Sequence, residues 1–291
     1  MADYIIAAAS TADLPDTFFA DHDIPVIRYT YSIGMQVFED DCSEESRQKA
    51  YEDMRRGTVY ATSMINTAVY ADFFRDLLRT GKDVLYLDMS KEMSSSFKAS
   101  HEAAEQVRTE FPAQRLVLMD TRCISGGLGL LVTECVRRME DGDTLDEVIA
   151  WGEAHKLKIM HRFTVDDLNY LKRGGRVSNA SALIGSLLGI KPVLYVPDDG
   201  KLTVAQKVRG RKAAIHALFE GVKRDMKNPD GQTIIINHAD CLDDANRLRE
   251  MLLKEFPSLT GVNISNLGVI IGSHCGPGLL TVFYFGDQRK P

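Results

Sequence analysis

The chain has 291 residues, enough for two domains of ordinary size. Its 41 acidic residues outnumber 35 Lys and Arg, for a net charge of -6. This argues against a surface that binds nucleic acid non-specifically, because such binding comes from neutralising phosphates. Every apolar run falls short of the roughly 20 residues a transmembrane helix needs, so no stable membrane insertion is expected.

The elements are predicted in chain order as follows. Tyr4 to Ala9 reads as a buried strand, and a short helix begins at Pro15 with Phe18 and Phe19 on its apolar side. Val26 to Val37 reads as a strand or hairpin turned at Ser32-Ile33-Gly34. Ser43 opens a helix that Gly57 stops, and a second helix covers Val69 to Arg79. Val84 to Leu87 and Leu116 to Met119 are short apolar runs of the parallel-strand type, with a helix from Ser96 to Glu110 between them. Strands alternating with helices imply a parallel sheet with both faces covered, its working loops at the carboxyl ends of the strands.

A further helix spans Thr144 to Lys156, capped by Asp143 or Thr144. The pattern then changes. Lys158 to Val165 alternates in polarity as half-buried strands do. Leu194–Val196, Leu202–Val208, Thr233–Asn237, Val262–Leu267 and Leu279–Phe285 are also strand candidates, with helices at Lys212–Lys227 and Asp243–Phe256. The expected class is α/β: a parallel-sheet domain at residues 1–157 and an α+β domain at 158–291 with a mainly antiparallel sheet.

The five cysteines are odd in number and widely spaced, which gives no disulfide framework and points to a reducing cytoplasm. The N-terminal residues lack the basic region of a signal peptide. The seven histidines show no zinc-binding spacing, so neither a metal nor a cofactor is expected.

Three polar clusters fall where strands end: Thr62-Ser63, Ser94-Ser95-Ser96, and Gly272 to Gly278 around His274. Hydroxyls and free backbone N–H groups at a helix start suit an anion. The plainer readings are a turn residue for Thr62, an N-cap for Ser94 and a structural loop residue for His274. Taken together, Thr62, Ser94 and His274 suit a single carboxylate, which is costly to bury without such partners.

The segment Leu171 to Leu202 combines a basic, glycine-broken turn with a nearly uncharged run from Val177 to Ile190. A buried linking helix is one reading; a pocket wall for an apolar ligand, beside a cationic turn, is the other. This segment closely resembles the hallmark of the DegV family of bacterial fatty-acid-binding proteins. Ser10 to Pro15, Thr62-Ser63, Met89 to Ser100, Asp120 to Gly129 and Ile271 to Gly278 resemble that family's other motifs, in order and spacing. The resemblance implies a fatty acid enclosed between two domains, with its carboxylate held by Thr62, Ser94 and His274 and with Ser95 beside them. It implies a pocket wall from Ile184, Leu187, Leu188 and Ile190. It also implies a partner, a fatty acid kinase that phosphorylates the held carboxylate, with Arg176 touching that kinase or the reacting anion. The chain departs from the family pattern at Ala9, at Met64-Ile65-Asn66, at Lys91 and at Ser95. The competing functional classes are a Ser94/His274 acyl hydrolase, for which no G-x-S-x-G elbow surrounds Ser94, and an interaction module without lipid.

Overall fold

The computed structural model describes residues 3–176 and 189–291. A four-stranded, all-parallel sheet has the order β2-β1-β6-β7, built from Val26–Ile27, Tyr4–Ala9, Asp83–Asp88 and Leu116–Asp120. Tyr86 and Leu87 of β6 and Ala7, Ala8 and Ala9 of β1 are fully buried, as expected of strands covered on both faces. Helices α3 (Thr67–Leu78) and α4 (Ser96–Glu110) pack on each other and on β6 and β7. Helices α5 (Gly126–Glu140) and α6 (Leu145–His155) also pack on this sheet. Thr144 caps α6 in a reciprocal capping box with Glu147, which satisfies the helix's first free N–H groups. Two more helices lie early in the chain, α1 (Asp16–Asp21) and α2 (Glu44–Arg55).

The second sheet has six strands in the order β10-β9-β8-β13-β11-β12, from Thr203–Arg209, Ile190–Tyr195, Ile159–Thr164, Leu280–Phe285, Thr233–His238 and Gly261–Asn266. All its pairs are antiparallel except β11 with β12. Its side chains divide by the period of two. Ile234, Ile236, Val282 and Tyr284 join one core with Ile215, Leu218 and Val222 of α8 (Arg211–Asp225) and with Leu248 and Leu252 of α9 (Leu242–Glu255). Ile235, Phe163 and Phe283 belong instead to the large core shared with the parallel sheet.

Helix α5 is what brings the sheets together. A Cβ on Gly126 would lie 2.3 Å from Asn237 Oδ1, and one on Gly127 would lie 2.1 Å from His161 Nε2. No other residue type lets this helix start approach strands β8 and β11 so closely.

Three features differ from the sequence reading. A third sheet, β4-β3-β5 (Gln36–Glu39, Thr30–Ile33, Tyr60–Ser63), adds a strand to the expected hairpin. The hairpin turn falls at Gly34-Met35, after Ile33. Two short helices occupy stretches read as turn and loop: α7 (Leu168–Gly174) and α10 (Val269–Cys275). His274 therefore sits in the last turn of a helix. The β-branched run Val269-Ile270-Ile271 disguises that helix. Gly272 within it makes room for Tyr51, whose hydroxyl would otherwise lie 2.2 Å from a Cβ.

Candidate functional site

Strand ends, loops and helices from all three sheets converge on one cavity of about 280 Å³. Thr62 and Ser63 reach it from the end of β5, and Ser94 and Ser95 from the turn before α4. His274 comes from α10, and Arg176 follows α7. The structure thus brings Thr62, Ser94, Ser95, His274 and Arg176 to a single space. Ile184, Leu187 and Leu188 lie outside the described residues. Ile190 opens β9, pairs with Arg209 and is not among the cavity's lining residues.

The polar contacts are specific. Thr62 Oγ1 and His274 Nε2 are 2.8 Å apart. Burial, and then the nearby positive charge of Arg176, push the His274 pKa down to about 4. The ring is therefore neutral at pH 7, with one N–H to give. Ser94 performs two tasks at the start of α4: its Oγ donates to Ser96 Oγ at 3.0 Å and accepts the Ser96 N–H at 3.1 Å. Ser96 Oγ also accepts the Ile65 N–H at 3.0 Å, tying the end of β5 to α4. The Ser95 side chain is exposed at the rim and makes no capping bond.

The glycine-broken basic turn has a local explanation. Gly175 adopts φ 68° and ends α7 in a Schellman arrangement. Its N–H donates to Lys172 O at 3.1 Å, and the Arg176 N–H donates to Leu171 O at 3.3 Å. Gly174 answers a different need. A Cβ there would lie 2.3 Å from His274 Nδ1, so only glycine lets α7 pack against that ring. The turn then aims Arg176 back over the site, where its Nε donates to Met93 O at 3.2 Å and its Nη1 to Gly174 O.

A narrow second chamber adjoins the cavity, and Ile124, Leu202, Ile271 and Cys275 line both. Its walls are almost wholly apolar and include Phe163, Val196, Leu279 and Phe283. His161 lines it too, but with both ring nitrogens occupied. Nε2 accepts the Ile124 N–H at 3.1 Å, and Nδ1 lies 3.0 Å from Ile159 O. Burial, then Arg289, hold its pKa well below the usual histidine range, so the ring is neutral. A hydroxyl- and imidazole-lined cavity thus lies beside an apolar chamber of about 40 Å³. That is the complement of an amphiphile with an anionic head.

Sequence reasoning missed Tyr29, Met89, Met93 and Ile270 of the lining. An apolar or aromatic residue in a strand or helix carries no mark separating a cavity wall from core. Among the described residues there is no cluster of three or more metal-ligating side chains, and no helix is long and apolar enough to cross a membrane.

The family model described as "Uncharacterised protein, DegV family" matches residues 5–287. A DegV domain-containing protein of Clostridium perfringens is 38% identical, covering 100% of both chains. One of Streptococcus pyogenes is 33% identical over 99% of each. Among solved structures, a fatty-acid-binding DegV family protein from Thermus thermophilus superposes with a TM-score of 0.88 at 26% identity, covering 99% of this chain and 100% of that one. A Thermotoga maritima protein whose structure revealed fatty acid binding gives 0.85, also at 26% identity, covering 99% and 100%. With a family match across almost its whole length and a cavity of this shape, the chain belongs to the DegV family.

Proposed function

We propose that this protein binds one long-chain fatty acid and presents its carboxylate to a fatty acid kinase. The observation that carries this reading is a polar cavity next to an apolar chamber, with Ile124, Leu202, Ile271 and Cys275 lining both. The fatty-acid binding named for the Thermus thermophilus and Thermotoga maritima relatives supports it. The carboxylate takes hydrogen bonds from the Thr62 hydroxyl, whose oxygen accepts the Nε2–H of the neutral His274 and is oriented by it, and from Ser94, whose hydroxyl turns from Ser96 to the ligand. The acyl chain follows the apolar walls, gaining roughly 0.8 kcal/mol per buried methylene. On this reading residues 1–157 and 158–291 are two domains that close on the ligand, and the protein works in the cytoplasm.

The kinase supplies ATP and magnesium. A carboxylate oxygen attacks the γ-phosphorus, ADP leaves and an acyl phosphate forms. This chain contributes orientation and the charge of Arg176, an always-protonated fork suited to an anionic oxygen or an acidic partner group. The hydrolase alternative lacks a nucleophile–base pair, because Ser94 Oγ donates to Ser96 while His274 pairs with Thr62.

Comparing lipid retention with coupled turnover tests the kinase step. Arg176→Ala is expected to retain fatty acid and to lose acyl-phosphate production with a cognate kinase. Normal turnover by this variant would remove Arg176 from the transfer step.

A further inference from the structure

We propose that the turn between β9 and β10 is a clasp that holds the serine loop, Met89 to Ser95, in its head-group-binding shape and thereby sets how fast the bound ligand leaves. The inference rests on the fatty-acid reading and adds a positioning element to it. The turn is flanked by Val196 and Leu202. Val196 lines the apolar chamber, and Leu202 lines the chamber and the polar cavity alike. Met89, Met93, Ser94 and Ser95 of the serine loop line the cavity.

The turn closes with bonds of its own. The Gly200 N–H donates to Pro197 O at 2.9 Å, and the Lys201 N–H donates to Asp199 Oδ1 at 3.0 Å. Two of its carbonyls are then taken by side chains from loops of the parallel sheet, which a simple hairpin turn does not need. Ser90 Oγ donates to Gly200 O at 2.9 Å, and Arg122 Nη1 donates to Asp199 O at 2.7 Å. Ser90 is fully buried; its Oγ also accepts the Glu92 N–H at 3.4 Å, and its carbonyl accepts the Met93 N–H at 2.9 Å. The turn thus grips the residue around which the serine loop folds. Arg122 reaches that loop as well. Its Nε lies 2.7 Å from Asp120 Oδ2, and Asp120 Oδ1 accepts the Lys91 N–H at 3.3 Å. The fit demands glycine, because Gly200 adopts φ 80° and a Cβ there would collide with Ser90 Oγ. Further along the loop, Arg176 Nε donates to Met93 O at 3.2 Å. Arg176 and the turn both belong to the part of the chain that builds the six-stranded sheet, so the serine loop is fixed from outside its own sheet. An anchor fixed beforehand needs less ordering on binding, and its loosening shows mainly in the dissociation rate.

Ser90→Ala and Arg122→Ala each remove one grip. Delipidated wild type, the two variants and the double variant are loaded with palmitate, and its release into a lipid acceptor is timed. Each single variant is expected to release palmitate roughly three- to tenfold faster than wild type. The double variant is expected to fall short of the product of the two, because both bonds hold one turn. Hydrogen exchange of the ligand-free variants is expected to rise in residues 91–95 as well as 198–202, with the strands of the parallel sheet as protected as in wild type. That pattern separates a clasp from a general loss of stability. Unchanged release in both single variants overturns the inference. So does faster exchange in the turn with an unchanged serine loop. A wild type that takes up no palmitate overturns the fatty-acid reading itself, and this inference with it.

Discussion

The polar cavity and the apolar chamber are built by different rules. The apolar chamber is the inner face of the six-stranded sheet, with Phe163 from β8 and Leu279 and Phe283 from or beside β13. These residues also belong to the core that joins the two sheets, so the same side chains support the fold and line the chamber. The polar end draws Thr62, Ser94, Arg176 and His274 from four separate strand or helix ends. None of these four belongs to the core. Damage to the chamber should therefore appear first as lost stability, and damage to the polar end first as lost affinity.

The largest expected effect tests the chamber side. Phe283, 3% exposed, carries core packing as well as chamber wall. Phe283→Ala should cost about 3–5 kcal/mol of unfolding free energy in a denaturant titration. A loss below about 1 kcal/mol would show that the chamber is separable from the core and break the comparison.

The polar end comes next. His274→Ala and Ser94→Ala should weaken palmitate binding by roughly 1.5–3 kcal/mol each, the worth of a hydrogen bond to a charged group. His274→Ala should leave circular dichroism as in wild type. Ser94→Ala should lose about 1 kcal/mol of stability as well, because Ser94 also receives the Ser96 N–H at the start of α4. Unchanged affinity in both variants would take these residues out of the head-group site.

A pH-dependent effect sharpens the account of His274. Its folded pKa of about 4 lies below its unfolded value of 6.5. Between these values the unfolded chain binds the proton and the folded chain does not. The His274 contribution to stability is thus fully present above about pH 6.5 and falls by up to about 1.4 kcal/mol per pH unit as the pH drops towards 4. Other buried groups act oppositely: burial raises Asp13 to about 7. The quantity to measure is therefore the difference between wild type and His274→Gln across this window. A constant difference would mean that the ring is not held neutral.

Much of this was legible in the sequence, for reasons that differ by element. The strands β1, β6 and β7 declare themselves as short apolar runs, and the alternation of β8 follows from one strand with two unlike faces. Thr62, Ser94, Ser95 and His274 stood out because hydroxyls and glycines punctuate element ends, whereas Arg176 rested on the family resemblance. Helix α10 stayed hidden because its β-branched residues argue locally against a helix, and packing against α7 and α2 overrides them. The pairing of β5 with β3 joins segments about 30 residues apart and leaves no local trace.

The central claim, one amphiphile held across the cavity and the chamber, is tested most directly by native mass spectrometry of protein purified from cells. The account predicts a bound species of fatty-acid mass at about one per chain, released by organic extraction and restored by added palmitate or oleate. Repeated recovery of lipid-free protein that takes up neither fatty acid would contradict it.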